Sequence, residues 1–540
     1  MPSLSFSHLT FSWPDGTRVL DGVTGAVSDG LTALVGTNGT GKSTLLRLLA
    51  GELSPETGTV HRPSRVAYVA QDVALATDSP ADAVMGLSDI RAAIRAVESG
   101  DVDQRHFDTI GDDWDAEERA LATLAALGLP ADTLTRTVGE LSGGEVTRLA
   151  LAAALHANPD VLLLDEPTNN LDQTATAQVL AALQRRHGAT LVVSHDRRVL
   201  GAVAAIGELR ASSLRWFGGN LADYEAAVEA ERERADAEVK SAAAEASRQQ
   251  RELRAHIEGE GKRQRQGAKQ GKDMPKILAN QRKANAQVTQ AKTSAVHEAR
   301  AEAARERLDA AKDAARRDRE IRLDLPTTAV PPRRDVAALN DIALRGWRLE
   351  DGHRVNALIQ GPERIVLTGA NGAGKTTLLR ALLSASARDY LAPSVGTVEI
   401  PVPVGYLPQR LDVLDPNLSV AHNVLRGAGG ASPHEVREQL AKFLFRGAAA
   451  ERPAGQLSGG ERFRAALATV LLARPAPQLL LLDEPTNNLD FATREQLLQA
   501  LNAYCGALVV VSHDADFVAQ IGPTREWSLA NGALTDSLVR

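Results

Sequence analysis

Cysteine is almost absent from this chain. Cys505 is the only one in 540 residues, which excludes intrachain disulfides and thiolate metal clusters, and its apolar setting AYCGALVVVS predicts a buried packing residue. No apolar run approaches the ~18 to 20 residues that a membrane helix needs. The start MPSLSFSHLTFSW lacks the basic stretch and apolar stretch of an export signal, so a cytoplasmic protein with no membrane span is expected. What the chain does have is 44% apolar and 24% charged residues, enough for a substantial core, over a length that suggests more than one domain.

Lysine is scarce except in one place. The net charge is −7, yet the 31 residues from Lys262 to Lys292 hold nine Lys or Arg against the single acid Asp273. Six of the eleven lysines lie there. Such an asymmetry points to a polyanionic partner for one small region.

The stretch LLLDEPTNNLD occurs twice, unchanged, at 162–172 and 480–490. Around each copy the same signals follow in the same order. LTALVG leads into GTNGTGKS and RIVLTG into GANGAGKT, each reading as a buried strand, a glycine-rich loop and a helix. Then come Gln71 or Gln409 after a short β-rich run, LSGGE at 141–145 or 457–461, the acidic turn, and LVVSHD or VVVSHD. Asp165 to His195 and Asp483 to His513 are both 30 residues apart, so the domain is duplicated. Gln71 and Ser142 are separated by 71 residues but Gln409 and Ser458 by 49, which gives the first half 22 more residues in its helical region. Cassette boundaries of 1–225 and 333–540 are expected.

Between them, 226–322 is rich in Ala, Glu, Arg, Lys and Gln. This composition predicts two long helices, over about 222–258 and 276–322 and on the order of 55 and 70 Å long. Gly259, Gly261, Gly267, Gly271 and the Met274-Pro275 pair are expected to break the pattern and turn the chain. That puts the basic cluster, near 259–283, at the tip of a helical hairpin.

The residues of the repeats have definite chemistry. In the two loops, Gly36, Asn38, Gly39 and Gly41, and Gly369, Asn371, Gly372 and Gly374, allow backbone N–H groups to approach phosphates at a helix N-terminus. Lys42 and Lys375 are placed to reach the β/γ-phosphates of ATP, followed by Ser43-Thr44 and Thr376-Thr377, with Ser43 and Thr376 as Mg²⁺ ligands. Asp165 and Asp483 are candidate holders of the metal, and Glu166 and Glu484 candidates to polarise an attacking water. His195 and His513, after buried strands, are candidates for the γ-phosphate.

With LSGGE and the flanking segments in this order, the chain resembles the ATP-binding cassette superfamily. The resemblance implies an α/β fold of two tandem cassettes, each a P-loop NTPase core with a helical subdomain, joined by a long α-helical hairpin linker. It implies that the cassettes of a monomer pair head to tail. Site one would join Lys42, Ser43, Gln71, Asp165, Glu166 and His195 with Ser458, Gly459 and Gly460. Site two would join Lys375, Thr376, Gln409, Asp483, Glu484 and His513 with Ser142, Gly143 and Gly144. Gln71 and Gln409 would also approach the metal. Trp13 resembles the aromatic that packs on adenine; the matching place in the second half falls at Leu349, with Trp347 nearby.

Two cassettes on one chain, a charged helical linker and FGGNLADYE at 217–225, similar to a Gly-Asn-Tyr-x-x-Tyr segment, resemble the ABC-F family. That resemblance implies action on the ribosome from its exit site, with residues 262–283 reaching rRNA and peptidyl-tRNA near the peptidyl-transferase centre. Either antibiotic protection or translational regulation would follow. A transporter ATPase subunit is the alternative, though it leaves the linker without a task. A DNA-repair cassette protein would usually add zinc-binding cysteines or a much longer coiled coil.

Overall fold

A computed structural model describes residues 4–73, 75–169, 171–210, 213–270, 295–312, 323–343, 354–370, 372–384, 395–409, 411–487, 489–530 and 532–539. Met1–Ala222 with Glu320–Arg540 form one compact unit and Asp223–Arg319 another.

In the first cassette the apolar runs become strands buried on both faces, as a parallel sheet between helices requires. The sheet order is Val66–Val69, Val161–Asp165, Ala189–Val193, Gly30–Val35, Ala205–Arg210 and Ser213–Gly218. Its first five strands are parallel, and the last is antiparallel to its neighbour. A smaller antiparallel sheet, Arg18–Val27, Leu4–Ser12 and Thr57–His61, adds Phe6, Leu9 and Val23 to the core around Leu34, Leu45 and Leu163. The second cassette repeats this plan. Its large sheet runs Val404–Leu407, Leu479–Asp483, Ala507–Val511, Arg364–Thr368, Arg525–Ala530 and Ala533–Leu538, and its small one Val355–Gln360, Asp335–Ala343 and Val395–Glu399.

The topology explains where chemistry gathers. Each glycine-rich loop leaves the carboxyl end of a central strand, the acidic turn leaves a nearby parallel strand at the same end, and ligands in open α/β sheets bind at such carboxyl edges. In register, Asp165 stands opposite Val193 and Asp483 opposite Val511. The helical regions differ as their lengths require: Ser88–Glu98, Gln104–Ile110 and Ala116–Ala126 in the first half, against Val420–Gly427 and Pro433–Lys442 in the second.

Two expectations are corrected. Cys505 is exposed: it lies in the turn between buried Tyr504 and the strand Ala507–Val511, where its N–H bonds Thr328 Oγ1 and its side chain faces away from the core. The other correction concerns the helix break. One helix runs unbroken from Leu221 to Gln270, 50 residues, through Gly259, Gly261 and Gly267. A glycine costs a helix only about 1 kcal/mol relative to alanine, and the neighbouring Glu, Lys, Arg and Gln are strong helix formers. Residues 295–312 form a second helix, and His256 and His297 meet with ring centroids 4.7 Å apart. Gly271, Met274, Pro275 and the rest of the turn, with Lys272 and Lys276, lie outside the described residues, as do Trp347 and Leu349. Among the described residues no helix is long and apolar enough to cross a membrane.

Candidate functional site

Each glycine-rich loop ends directly in a helix, Lys42–Ala50 or Lys375–Ser384. Gly41 is left-handed at φ 93° and provides no side-chain cap, so the first-turn N–H groups remain directed at the loop. Gly36 and Gly369 hold φ of 157° and 147°, and an added Cβ would lie 2.4 Å from the carbonyl oxygen of Leu209 or Leu529. Only glycine fits there.

The lysines are buried, and each folds back on its own loop. Lys42 Nζ donates to the carbonyls of Gly36 at 2.7 Å and Thr37 at 3.2 Å; Lys375 Nζ does the same to Gly369 and Ala370 at 2.7 and 3.2 Å. Burial lowers the pKa of both, against the opposing carboxylates of Glu166 and Glu484. Asp165 and Asp483 are raised by burial and receive hydrogen bonds from Ser43 and Thr376 respectively, and from Tyr68 and Tyr406.

Glu166 and Glu484 have the left-handed φ values 49° and 48°. Each donates its N–H across the sheet edge, to the carbonyl of Val193 or Val511 at 2.9 Å. Burial raises the pKa of both carboxyls, with lysine opposing, and takes Glu484 to about 7. The histidines stand beside them: His195 Nε2 is 3.6 Å from Glu166 Oε1, and His513 Nε2 is 3.2 Å from Glu484 Oε1. Lys375 Nζ also lies 3.2 Å from His513 Nε2.

The cassettes face each other across two clefts. The first, about 690 Å³, is lined by Trp13, Asn38, Gly39, Gly41, Lys42, Ser43, Thr44, Gln71, Asp165 and Glu166, and opposite them by Gly459, Arg462, Phe463 and Leu489. Asn38 N–H donates to Asp490 Oδ2 at 2.9 Å across this boundary. Asn38 Nδ2 lies 3.5 Å from where a Cβ on Gly459 would be. The second cleft, about 560 Å³, gathers Gly372, Gly374, Lys375, Thr376, Thr377, Gln409, Asp483, Glu484 and His513. Its opposite wall carries Leu171, Gln173, Arg197 and Arg198, with Glu166 and His195. Asn371 lies outside the described residues.

Several expected partners stand elsewhere. Ser142, Gly143 and Gly144 are not among the residues lining the second cleft; Ser142 caps its own helix in a reciprocal box with Glu145. Ser458 likewise caps Gly459–Leu471, and Gly460 packs toward Thr493 of its own cassette, so of that segment Gly459 alone lines the first cleft. Identical motifs do not impose identical closure, because the residues between the halves differ: Arg197 pairs with Asp516 at 2.5 Å, and Gln173 reaches the His513 carbonyl at 3.5 Å. Sequence reasoning missed Asp490, Arg462, Phe463 and Phe491. The available signal was that the repeats cease to match at the residue after LLLDEPTNNLD.

Among the described residues, no group of three or more His, Cys, Asp or Glu side chains is arranged for a metal ion. The donors beside each loop are instead hydroxyl, amide and carboxylate oxygens, a set suited to a hard cation that shares its coordination with phosphate.

Two phosphate-loop folds facing each other across such clefts define a paired ATP-binding cassette. The model of the ABC transporter family matches residues 20–169 and 353–487. The tylosin resistance ATP-binding protein TlrC of Streptomyces fradiae is 35% identical, over 93% of this chain and 92% of its own. The ATP-binding protein Uup of Caulobacter vibrioides is 32% identical over 94% and 74%, and human ATP-binding cassette sub-family F member 3 is 31% identical over 93% and 68%. The chain therefore belongs to the ABC-F family of ATP-binding cassette proteins, and it is an ATPase. A crystal structure of the complex of archaeal ribosomal stalk protein aP1 and archaeal ribosome recycling factor aABCE1 shares the fold, with TM-score 0.54 and 20% identity, covering 98% of this chain and 89% of that one.

Proposed function

We propose that the protein hydrolyses ATP with Mg²⁺ at both clefts and uses cassette closure to act on the ribosome. The observation that carries the catalytic reading is the doubled set of loop lysine, strand-end aspartate, buried glutamate and adjacent histidine, with the lysine at the same distance from its loop carbonyl in both halves and the histidine beside the glutamate in each. Lys42 and Lys375 would release their loop carbonyls for the β/γ-phosphates. Ser43, Gln71 and Asp165, and Thr376, Gln409 and Asp483, would hold Mg²⁺, which when bound offsets charge on the phosphate oxygens. Glu484, its pKa pushed up to about 7, is basic enough to accept a proton from water and half ionised at pH 7, and Glu166, raised further by burial, would act alike in its ionised form. Trp13, which lines the first cleft, would pack on adenine.

The ribosomal reading rests on membership of the family, on a relative named for tylosin resistance, and on the basic segment 262–292. RNA backbone is a dense polyanion that such a segment fits. In this reading 1–225 and 333–540 are the cassettes, and 226–322 is the linker, directed from the exit site toward peptidyl-tRNA and the peptidyl-transferase region. The relative's name favours antibiotic protection over general translational control. Expression in a susceptible host, with inhibitory concentrations measured across ribosome-targeting drugs, tests this. Raised tolerance that depends on Glu166 and Glu484 supports protection, and unchanged tolerance with altered translation supports regulation. ATP-dependent recovery with membranes and never with ribosomes would overturn both.

A further inference from the structure

The repeated segments are identical through Asp172 and Asp490, but the next residue is Gln173 in one half and Phe491 in the other. Both open helices, Gln173–Arg185 and Phe491–Ala503, whose first turns are capped alike by Asp172 and Asp490. The backbone thus presents the two side chains equivalently, and each meets the histidine of the opposite cassette. Phe491 lies edge-on to the His195 ring, with centroids 5.8 Å apart and planes at 78°. Gln173 Nε2 instead reaches the main-chain carbonyl of His513 at 3.5 Å.

The rings are consequently held by different forces. Both His195 ring nitrogens are buried with no hydrogen-bond partner among the described residues, and Glu166 Oε1, at 3.6 Å from Nε2, is beyond hydrogen-bond reach. Packing must set the orientation of that ring. His513 Nε2 has Glu484 Oε1 and Lys375 Nζ, both of its own cassette, at 3.2 Å.

We propose that Phe491 is a positioning residue for His195, supplied by the opposite cassette, so that the first site is set for hydrolysis only while the cassettes are paired, whereas His513 is oriented from within its own half. An edge-to-face contact suits this task because it fixes the plane of a ring without requiring a donor or an acceptor. The inference rests on the assignment of His195 to the hydrolytic site.

The test uses the full chain, with steady-state ATPase kinetics and NMR of protein carrying ¹³Cε1-labelled histidine. The variants are Phe491→Ala, Phe491→Leu, Phe491→Tyr, Gln173→Ala and His195→Ala, and the last also identifies the His195 resonance by its disappearance. Phe491→Ala is expected to lower turnover at the first site about two- to tenfold, the range of one aromatic pair, which takes roughly a quarter to a half off the summed kcat of two equal sites, with KM for ATP changed less than twofold and the His195 resonance displaced. Phe491→Tyr restores both readouts, Phe491→Leu restores neither fully, and Gln173→Ala produces a smaller loss than Phe491→Ala. Should Phe491→Ala not fold, the Leu and Tyr variants carry the same contrast. Wild-type kcat in the Ala and Leu variants, a change confined to KM, or Tyr no better than Leu would each overturn the proposal. If His195→Ala itself turns over normally, the hydrolytic assignment falls and this inference with it; a slow His195→Ala beside a normal Phe491→Ala removes the inference alone.

Discussion

The two clefts begin from the same sequence and arrive at different surroundings. The first brings Gly459 against Asn38 and ties Asn38 to Asp490 across the boundary. The second has its loop, acid, glutamate and histidine in place, but its opposite wall is built from Gln173, Arg197 and Arg198 in place of the Ser142–Gly144 segment. Duplication reproduces what one cassette builds from its own residues; what lies between cassettes depends on residues that the repeats do not share. Equivalent chemistry at the two sites therefore does not require equivalent control.

The strongest test of the shared half of this comparison is removal of both loop lysines. Lys42→Ala with Lys375→Ala should abolish nucleotide binding in equilibrium dialysis and reduce ATPase activity to background, while the single variants show whether one site supports the other. Undiminished turnover in the double variant would remove the mechanism. Next in size, Glu166→Gln with Glu484→Gln should keep ATP binding and slow hydrolysis by on the order of 10²-fold or more, the usual weight of a general base. With ATP this variant should accumulate on ribosomes in pelleting assays. Normal hydrolysis would contradict the assigned bases.

A change of pH sharpens the comparison further. Because burial raises Glu484 to about 7, a base at this position is ionised above that value, and kcat/KM should fall about tenfold for each pH unit below it. The linked effect on folding has the opposite direction. A raised carboxyl pKa contributes stability that is present below the unfolded-state value and is lost as pH rises through 7. Glu484→Gln should therefore gain melting temperature relative to the wild type at pH 8 and gain almost none at pH 4. Equal differences at both pH values would show that burial does not perturb this carboxyl. The smallest effect belongs to the Arg197–Asp516 pair that joins the halves. Asp516 is exposed, so Asp516→Asn should cost less than about 1 kcal/mol in chemical denaturation.

The parts legible in the sequence are those fixed by local chemistry. Lys42, Asp165 and their counterparts follow strands whose apolar runs can only be buried, so strand, loop and helix could be read directly. Gly36 and Gly369 could be read for the same reason. The unread parts depend on packing between distant segments. Nothing near Cys505 shows that the strand starts only at Ala507 and leaves the thiol outside. Gly259 looks like a stop until the helix-forming residues on both sides outweigh it. Ser142 and Ser458 are the same motif letter for letter, and only the surfaces between cassettes decide which segment meets a loop.

The left-handed backbone at Glu166 and Glu484 has a consequence for how such proteins tolerate change. A side chain there costs roughly 1–2 kcal/mol that glycine would not, so folding by itself disfavours glutamate at the two positions where the proposed hydrolysis would use it. A Glu166→Gly, Glu484→Gly protein should be the sturdier and the inert one. Drift unopposed by the need to turn over ATP would lead toward a well-folded clamp that binds nucleotide and never lets go.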